Sequence, residues 1–174
     1  SENNIPTSPS YQFADLAELE AHLSEKPLVL KKRLFGYDGY GTVILNNIHD
    51  IDKIKPKVSS KAASNEATSF NFNADEWIAE DFIDFKRELA VSFARNASEQ
   101  ICAFPWVETF QKDSKCLWVK GPMSLTSAMK SLQKEISASL DKINFVGFIT
   151  FEVFETNLGE LLINEIAPRV HNSA

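Results

Sequence analysis

The chain has 174 residues, 44% of them hydrophobic and 24% charged, enough for one domain or two small lobes with a real core. Its formal charge of -6 and pI near 5.1 argue against nucleic acid or an anionic membrane as the main partner, since both select clustered Lys and Arg. No apolar run reaches the ~18 residues of a membrane span and no signal-peptide core opens the chain, so a cytoplasmic location is expected.

The polar opening SENNIPTSPS reads as a linker entering a domain. Phe13, Leu16, Leu19 and Leu23 then recur at helical spacing with Asp15 and Glu18 early, which predicts a short amphipathic helix over 13–25 that Pro27 ends. Residues 28–34 predict a strand, 35–41 a tight loop and 42–45 a returning strand. The stretch 50–73, rich in Ser, Lys, Asn and Ala, reads as a mobile connection holding one short helix. Strands are expected at 77–83, 88–94, 100–109 and 116–120, with turns at 96–99 and 112–114. The clearest helix covers 124–143, where Leu125, Ala128, Met129, Leu132, Ile136, Leu140 and Ile143 form one stripe and Thr126 or Ser124 supplies the cap. An apolar strand at 145–154, a turn at 157–159 and a partner strand at 161–166 follow. The order predicts an α+β fold: a small hairpin-containing lobe at about 25–80 and a larger antiparallel sheet lobe with helices at about 81–174. The polar run 168–174 suggests that the natural protein continues. Cys102 and Cys116, without metal-ligand spacing, are expected as reduced thiols.

Four groups of residues carry chemistry. The loop Phe35-Gly36-Tyr37-Asp38-Gly39-Tyr40-Gly41 lets backbone amides approach a phosphate, and Lys31 with Arg33 places positive charge beside it in an otherwise acidic chain. It is not a Walker A loop, because no Gly-Lys-Ser/Thr follows. If the last hairpin turns at Leu158-Gly159, partners sum to 317 and Glu152 faces Glu165 across the strands. Two carboxylates held together among Phe151, Val153, Ile163 and Ile166 point to a shared proton or a bound cation, and with Asn164 adjacent the donors suit Mg²⁺. In EDFIDFKRE, alternation puts Glu80, Phe82 and Asp84 on one face and Asp81, Ile83 and Phe85 on the other, a pattern that an ordinary strand also explains. Arg169, His171, Asn172 and Ser173 follow the Glu165 strand as a donor-rich cluster suited to an anionic oxygen.

Across VLKKRLFGYDGYG at 29–41, EDFIDFKREL at 80–89, and VGFITFEVFE with LLINEIAPRVHNS at 146–173, the chain resembles the ATP-grasp enzymes of the 5-(carboxyamino)imidazole ribonucleotide synthase family. The resemblance runs over essentially the whole chain and implies an ATP-grasp fold for 1–174, with the amino- and carboxy-terminal domains of that family absent. It implies that Lys31 contacts ATP phosphates as a catalytic residue and that the loop of Gly36, Gly39 and Gly41 closes over them. Glu80 and the main chain of Asp81, Phe82 and Ile83 would hold the adenine, and Glu88 the ribose hydroxyls. Glu152 and Glu165 would carry Mg²⁺. Tyr37, Asp38, catalytic Arg169, His171 and Asn172 would face bicarbonate and 5-aminoimidazole ribonucleotide.

The implied reaction is ATP-dependent carboxylation of that nucleotide through carboxyphosphate, in a parent protein that is a homodimer, with the isolated piece short of efficient turnover. The alternatives are a nucleotide-binding module without its own turnover, or an ATP-grasp ligase with a different acceptor. Three positions depart from the family pattern: Phe35 stands where a glycine is common, Gln111-Lys112-Asp113-Ser114 stands where a histidine precedes Asp-Gly, and Ala174 replaces a glycine.

Overall fold

In the computed structural model, which describes residues 5–34, 41–54, 73–112 and 115–173, the first regular element is helix α1, Leu16–Glu25. It starts three residues later than the apolar spacing predicts, because Asp15 caps it: its carboxylate accepts from the Glu18 amide at 2.9 Å while Glu18 reaches back to the Ala14 amide at 2.7 Å. This reciprocal pair satisfies the Glu18 amide, which the first turn leaves without a helical partner, and the Ala14 amide just ahead of the cap.

Strands β1 (Ser10–Tyr11), β2 (Leu28–Lys32), β3 (Thr42–Leu45) and β4 (Trp77–Asp81) form an antiparallel sheet in the order β1-β4-β2-β3. Leu28 and Leu30 of β2 join Leu19, Leu23, Leu45 and Ala79 in one buried cluster. Period-two alternation then turns Val29 and Lys31 to the opposite face. The strand expected over 28–34 is regular only to Lys32, and the Arg33 amide adds one further bond in the same register, to the Glu76 carbonyl at 2.8 Å. The helix expected within 50–73 is a 3₁₀ segment beginning earlier, Ile48–Lys53. A second 3₁₀ turn covers Ala74–Glu76, and 55–72 lies outside the described residues.

The second sheet has six strands: β5 (Phe85–Arg95), β6 (Ile101–Ala103), β7 (Val107–Lys112), β8 (Lys115–Lys120), β9 (Gly147–Thr156) and β10 (Leu161–Ala167). Their order is β10-β9-β5-β7-β8, with β6 also on β5 and every pairing antiparallel. The single strand expected at 100–109 is divided around Phe104-Pro105-Trp106, because Pro105 has no amide to donate to a ladder. Trp106 is fully buried there, and its indole N–H bonds to Gln133 Oε1 at 3.0 Å.

Gln133 belongs to helix α2, Ser127–Lys142, capped by Thr126 as expected. Met129, Leu132, Ile136 and Leu140 are buried against Leu89, Val91, Phe93 and Phe151, each contributing about 1.5–3 kcal/mol of apolar burial. The stripe is narrower than 124–143 because Leu125 and Ile143 flank the helix and remain 40% and 60% exposed. Arg95 fastens the end of β5 to the end of α2 through Asp141 at 2.9 Å and the Phe145 carbonyl at 2.9 Å.

The chain divides into two compact units, Pro9–Phe82 around the first sheet and Ser1–Ser8 with Ile83–Ala174 around the second. Both cysteines are free thiols, and no described helix is long and apolar enough to cross a membrane.

Candidate functional site

Because Leu89, Val91 and Phe93 of β5 and Phe151 and Val153 of β9 face α2, alternation turns Glu88, Ser92, Thr150 and Glu152 to the other side of the six-stranded sheet. On that side Ser92 and Thr150 share a 2.8 Å hydrogen bond, and Glu152 is 7% exposed. Gln111 of β7 donates through Nε2 to both oxygens of Glu152, at 3.2 and 3.3 Å. His171 Nε2 lies 3.6 Å from Glu152 Oε1, and its Nδ1 lies 2.9 Å from the buried Ser173 hydroxyl. Thr109, in register with Glu88, has a buried hydroxyl with no hydrogen-bond partner among the described residues.

Glu165 does pair with Glu152, by a route the sequence reading did not contain. Near the turn the hairpin partners sum to 316, as in Leu161 with Glu155 and Ile163 with Val153. A bulge between Ile163 and Glu165 then inserts Asn164, and from Glu165 onward the partners sum to 317. Continued without the bulge, the first register would set Glu165 opposite Phe151, on the helix-facing side. The shielding from open solvent expected for both carboxylates holds for Glu152 alone, and its neighbours there are the polar Gln111 and His171. Glu165 is exposed and Ile166 is 51% exposed, because β10 is the edge strand of its sheet.

Negative charge accumulates on this face. Burial and then the Glu152 carboxylate push the Glu88 carboxyl up to about 7, and burial followed by Glu152 and Glu88 raises the Cys116 thiol. Among the described residues no three His, Cys, Asp or Glu side chains are grouped so as to hold a metal alone. The donors still fit magnesium, which keeps several waters and takes one or two carboxylates together with substrate phosphates. Two glutamates in register on adjacent strands supply hard oxygens of that kind.

In the other unit Lys31 reaches Glu80 at 2.8 Å, across from Ile78 and Thr42 in the ladder. Asp81 pairs with Lys26 at 2.7 Å, and its amide donates to the Pro9 carbonyl at 3.0 Å, while the Phe82 amide donates to Pro27 at 3.2 Å. Strand β4 ends at Asp81, so the alternation read through EDFIDF breaks at 82–84. Gly41 has φ +88°, and a Cβ there would stand 3.0 Å from Lys32 Cβ, so glycine is needed at this end of the loop. Gly36, Tyr37, Asp38 and Gly39 lie outside the described residues. Arg169 and Asn172 are exposed, and the Arg169 guanidinium donates to the Val170 carbonyl at 3.1 Å.

The structure thus brings Glu88, Glu152, Glu165 and His171 to one region and holds Lys31 with Glu80. Thr109 has no assigned role in the sequence, Gln111 enters it only as a departure from the family pattern, and Ser173 only as a member of the donor-rich cluster after Glu165. The spacing of 107, 109 and 111 along one strand would have shown that Thr109 and Gln111 share a face, but not which face.

The N5-carboxyaminoimidazole ribonucleotide synthase of Synechocystis sp. is 35% identical over 95% of this chain and 41% of its own length. A solved N5-carboxyaminoimidazole ribonucleotide synthetase in complex with ADP superposes with a TM-score of 0.78 at 27% identity, over 99% of this chain and 43% of that one. The Aspergillus clavatus enzyme, solved with ADP and 5-aminoimidazole ribonucleotide, gives a TM-score of 0.74 at 25% identity over 99% and 42%. The chain therefore spans about two fifths of the length of the curated relative it matches. Residues 1–174 match the ATP-grasp domain, with the two antiparallel sheets and carboxylate-bearing hairpin described above, and the chain belongs to the ATP-grasp family.

Proposed function

We propose that this chain is the ATP-binding part of an enzyme that carboxylates 5-aminoimidazole ribonucleotide with bicarbonate. The observation that carries the reading is the bulged hairpin that sets Glu165 opposite Glu152 beside Glu88, in a chain 35% identical to a synthase of that name. In this reading bicarbonate attacks the γ-phosphoryl group of ATP, releasing ADP and forming carboxyphosphate. The amine of the aminoimidazole then attacks the carboxyl carbon and phosphate leaves.

Phosphoryl transfer depends on positioning and charge stabilisation more than on a covalent catalyst. Lys31 would exchange its Glu80 contact for the phosphates, and the glycine loop ending at Gly41 would offer amides. Glu80 with the main chain at 81–83 would hold the adenine. Since the Asp81 and Phe82 amides already donate within their own unit, the Ile83 amide and the carbonyls are the base-reading groups. Glu88 would accept from the ribose. Glu152 and Glu165 would hold magnesium, whose positive charge would offset the negative charge on the phosphoryl oxygens. Tyr37, Asp38, Arg169, His171 and Asn172 would face bicarbonate and the acceptor amine. A cytoplasmic, homodimeric parent belongs to the same reading, as does slow turnover by this portion alone.

Calorimetric titration with MgATP tests it. Saturable, magnesium-dependent binding that weakens in Lys31→Ala and Glu165→Gln is expected. A folded chain that ignores millimolar MgATP would remove the nucleotide site from these residues.

A further inference from the structure

We infer that Gln111 is a positioning residue for the metal-binding carboxylate of Glu152, a role that rests on the reading of Glu152 as a magnesium ligand. Glu152 sits on β9 and Gln111 on β7, with β5 between them, so the contact is made over the surface of the sheet, not along a ladder. Its amide nitrogen carries two protons and lies 3.2 Å from one oxygen and 3.3 Å from the other. That near-equal fork fixes the rotation of the carboxylate about its last bond.

The choice of an amide matters electrostatically. A buried carboxylate needs donors, and Lys or Arg would provide them while cancelling the charge that attracts a metal. A glutamine satisfies the oxygens and leaves the charge intact. Groups that orient a metal ligand without touching the metal typically alter metal affinity ~10–100-fold when removed.

The discriminating substitution is Gln111→Met, which keeps side-chain length and removes both protons, with Gln111→His as a variant that retains a ring N–H donor. Each is titrated with ATP in the presence of Mg²⁺ and with ATP in EDTA, alongside Glu152→Gln and thermal melts. We expect Gln111→Met to weaken MgATP binding ~10–100-fold, to change metal-free ATP binding less than about twofold, and to keep a cooperative melt. Gln111→His should recover most of the magnesium-dependent affinity. Unchanged MgATP affinity in Gln111→Met, with Glu152→Gln defective, overturns the role of Gln111 and spares the metal reading. Unchanged affinity in Glu152→Gln overturns both. Equal losses with and without magnesium, or a Gln111→Met chain that does not fold while Gln111→His folds but binds no better than Glu152→Gln, reduce Gln111 to a packing role.

Discussion

On the four-stranded sheet Lys31 meets a carboxylate of opposite charge, Glu80, at 2.8 Å, whereas on the six-stranded sheet Glu88 feels the like charge of Glu152. Both arrangements sit on the sheet face away from a leucine-rich core, and both come from period-two alternation. They differ in what the fold does with the charge. The first neutralises it locally with a partly exposed pair, of the kind worth ~0–1 kcal/mol. The second gathers carboxylates from three neighbouring strands and gives Glu152 a neutral amide. On the proposed function, the surplus of one sign held by a packed sheet would attract a cation, and the balanced pair would be a resting arrangement that ATP phosphates displace.

The comparison predicts that scaffold and site respond separately. Trp106→Ala should have the largest effect, destabilising the second unit by about 3–5 kcal/mol in urea unfolding, because it empties a fully buried site and orphans Gln133. Glu152→Gln should leave the fold intact yet lower MgATP affinity by ~100-fold, or about 2.7 kcal/mol, in calorimetry. Lys31→Ala should cost ~10-fold in MgATP affinity with little change in melting temperature; a large loss of stability instead would mean that the Lys31–Glu80 pair is structural.

The smallest effect is expected at Glu88. Its folded carboxyl titrates near 7 against 4.5 as the ordinary value, so the folded state holds the proton more tightly. Stability is therefore fully present below about 4.5 and falls as pH rises towards 7. Glu88→Gln should match the parent at pH 4 and exceed it by about 1 kcal/mol at pH 8, a figure reduced for solvent screening. A pH-independent difference would show that neither burial nor the Glu152 charge raises the Glu88 carboxyl.

Much of this molecule was legible locally. The helix at Leu16–Glu25 follows from its apolar spacing and Asp15 cap, and the helix at Ser127–Lys142 from its stripe and Thr126. The closing hairpin follows from alternation around Leu158-Gly159. These elements depend on residues within a turn or two of one another, and such periodicity is written along the chain. Element ends were less legible: β2 ends at Lys32 opposite Trp77, where its partner strand begins after a 3₁₀ turn far away in sequence.

The candidate site shows the same division. Residue types and order alone singled out Lys31, Glu152 and Glu165, and the arithmetic of the hairpin paired the two glutamates. Tertiary structure decided how that pairing is reached, since only the ladder reveals the bulge at Asn164 and the change of register it makes. It also decided that Glu152 is buried while Glu165 is exposed, because strand order makes one strand central and the other an edge. The contact of Gln111 with Glu152 became visible only there. It reaches over β5 between two strands that are not neighbours, and no local period encodes a partner 41 residues away.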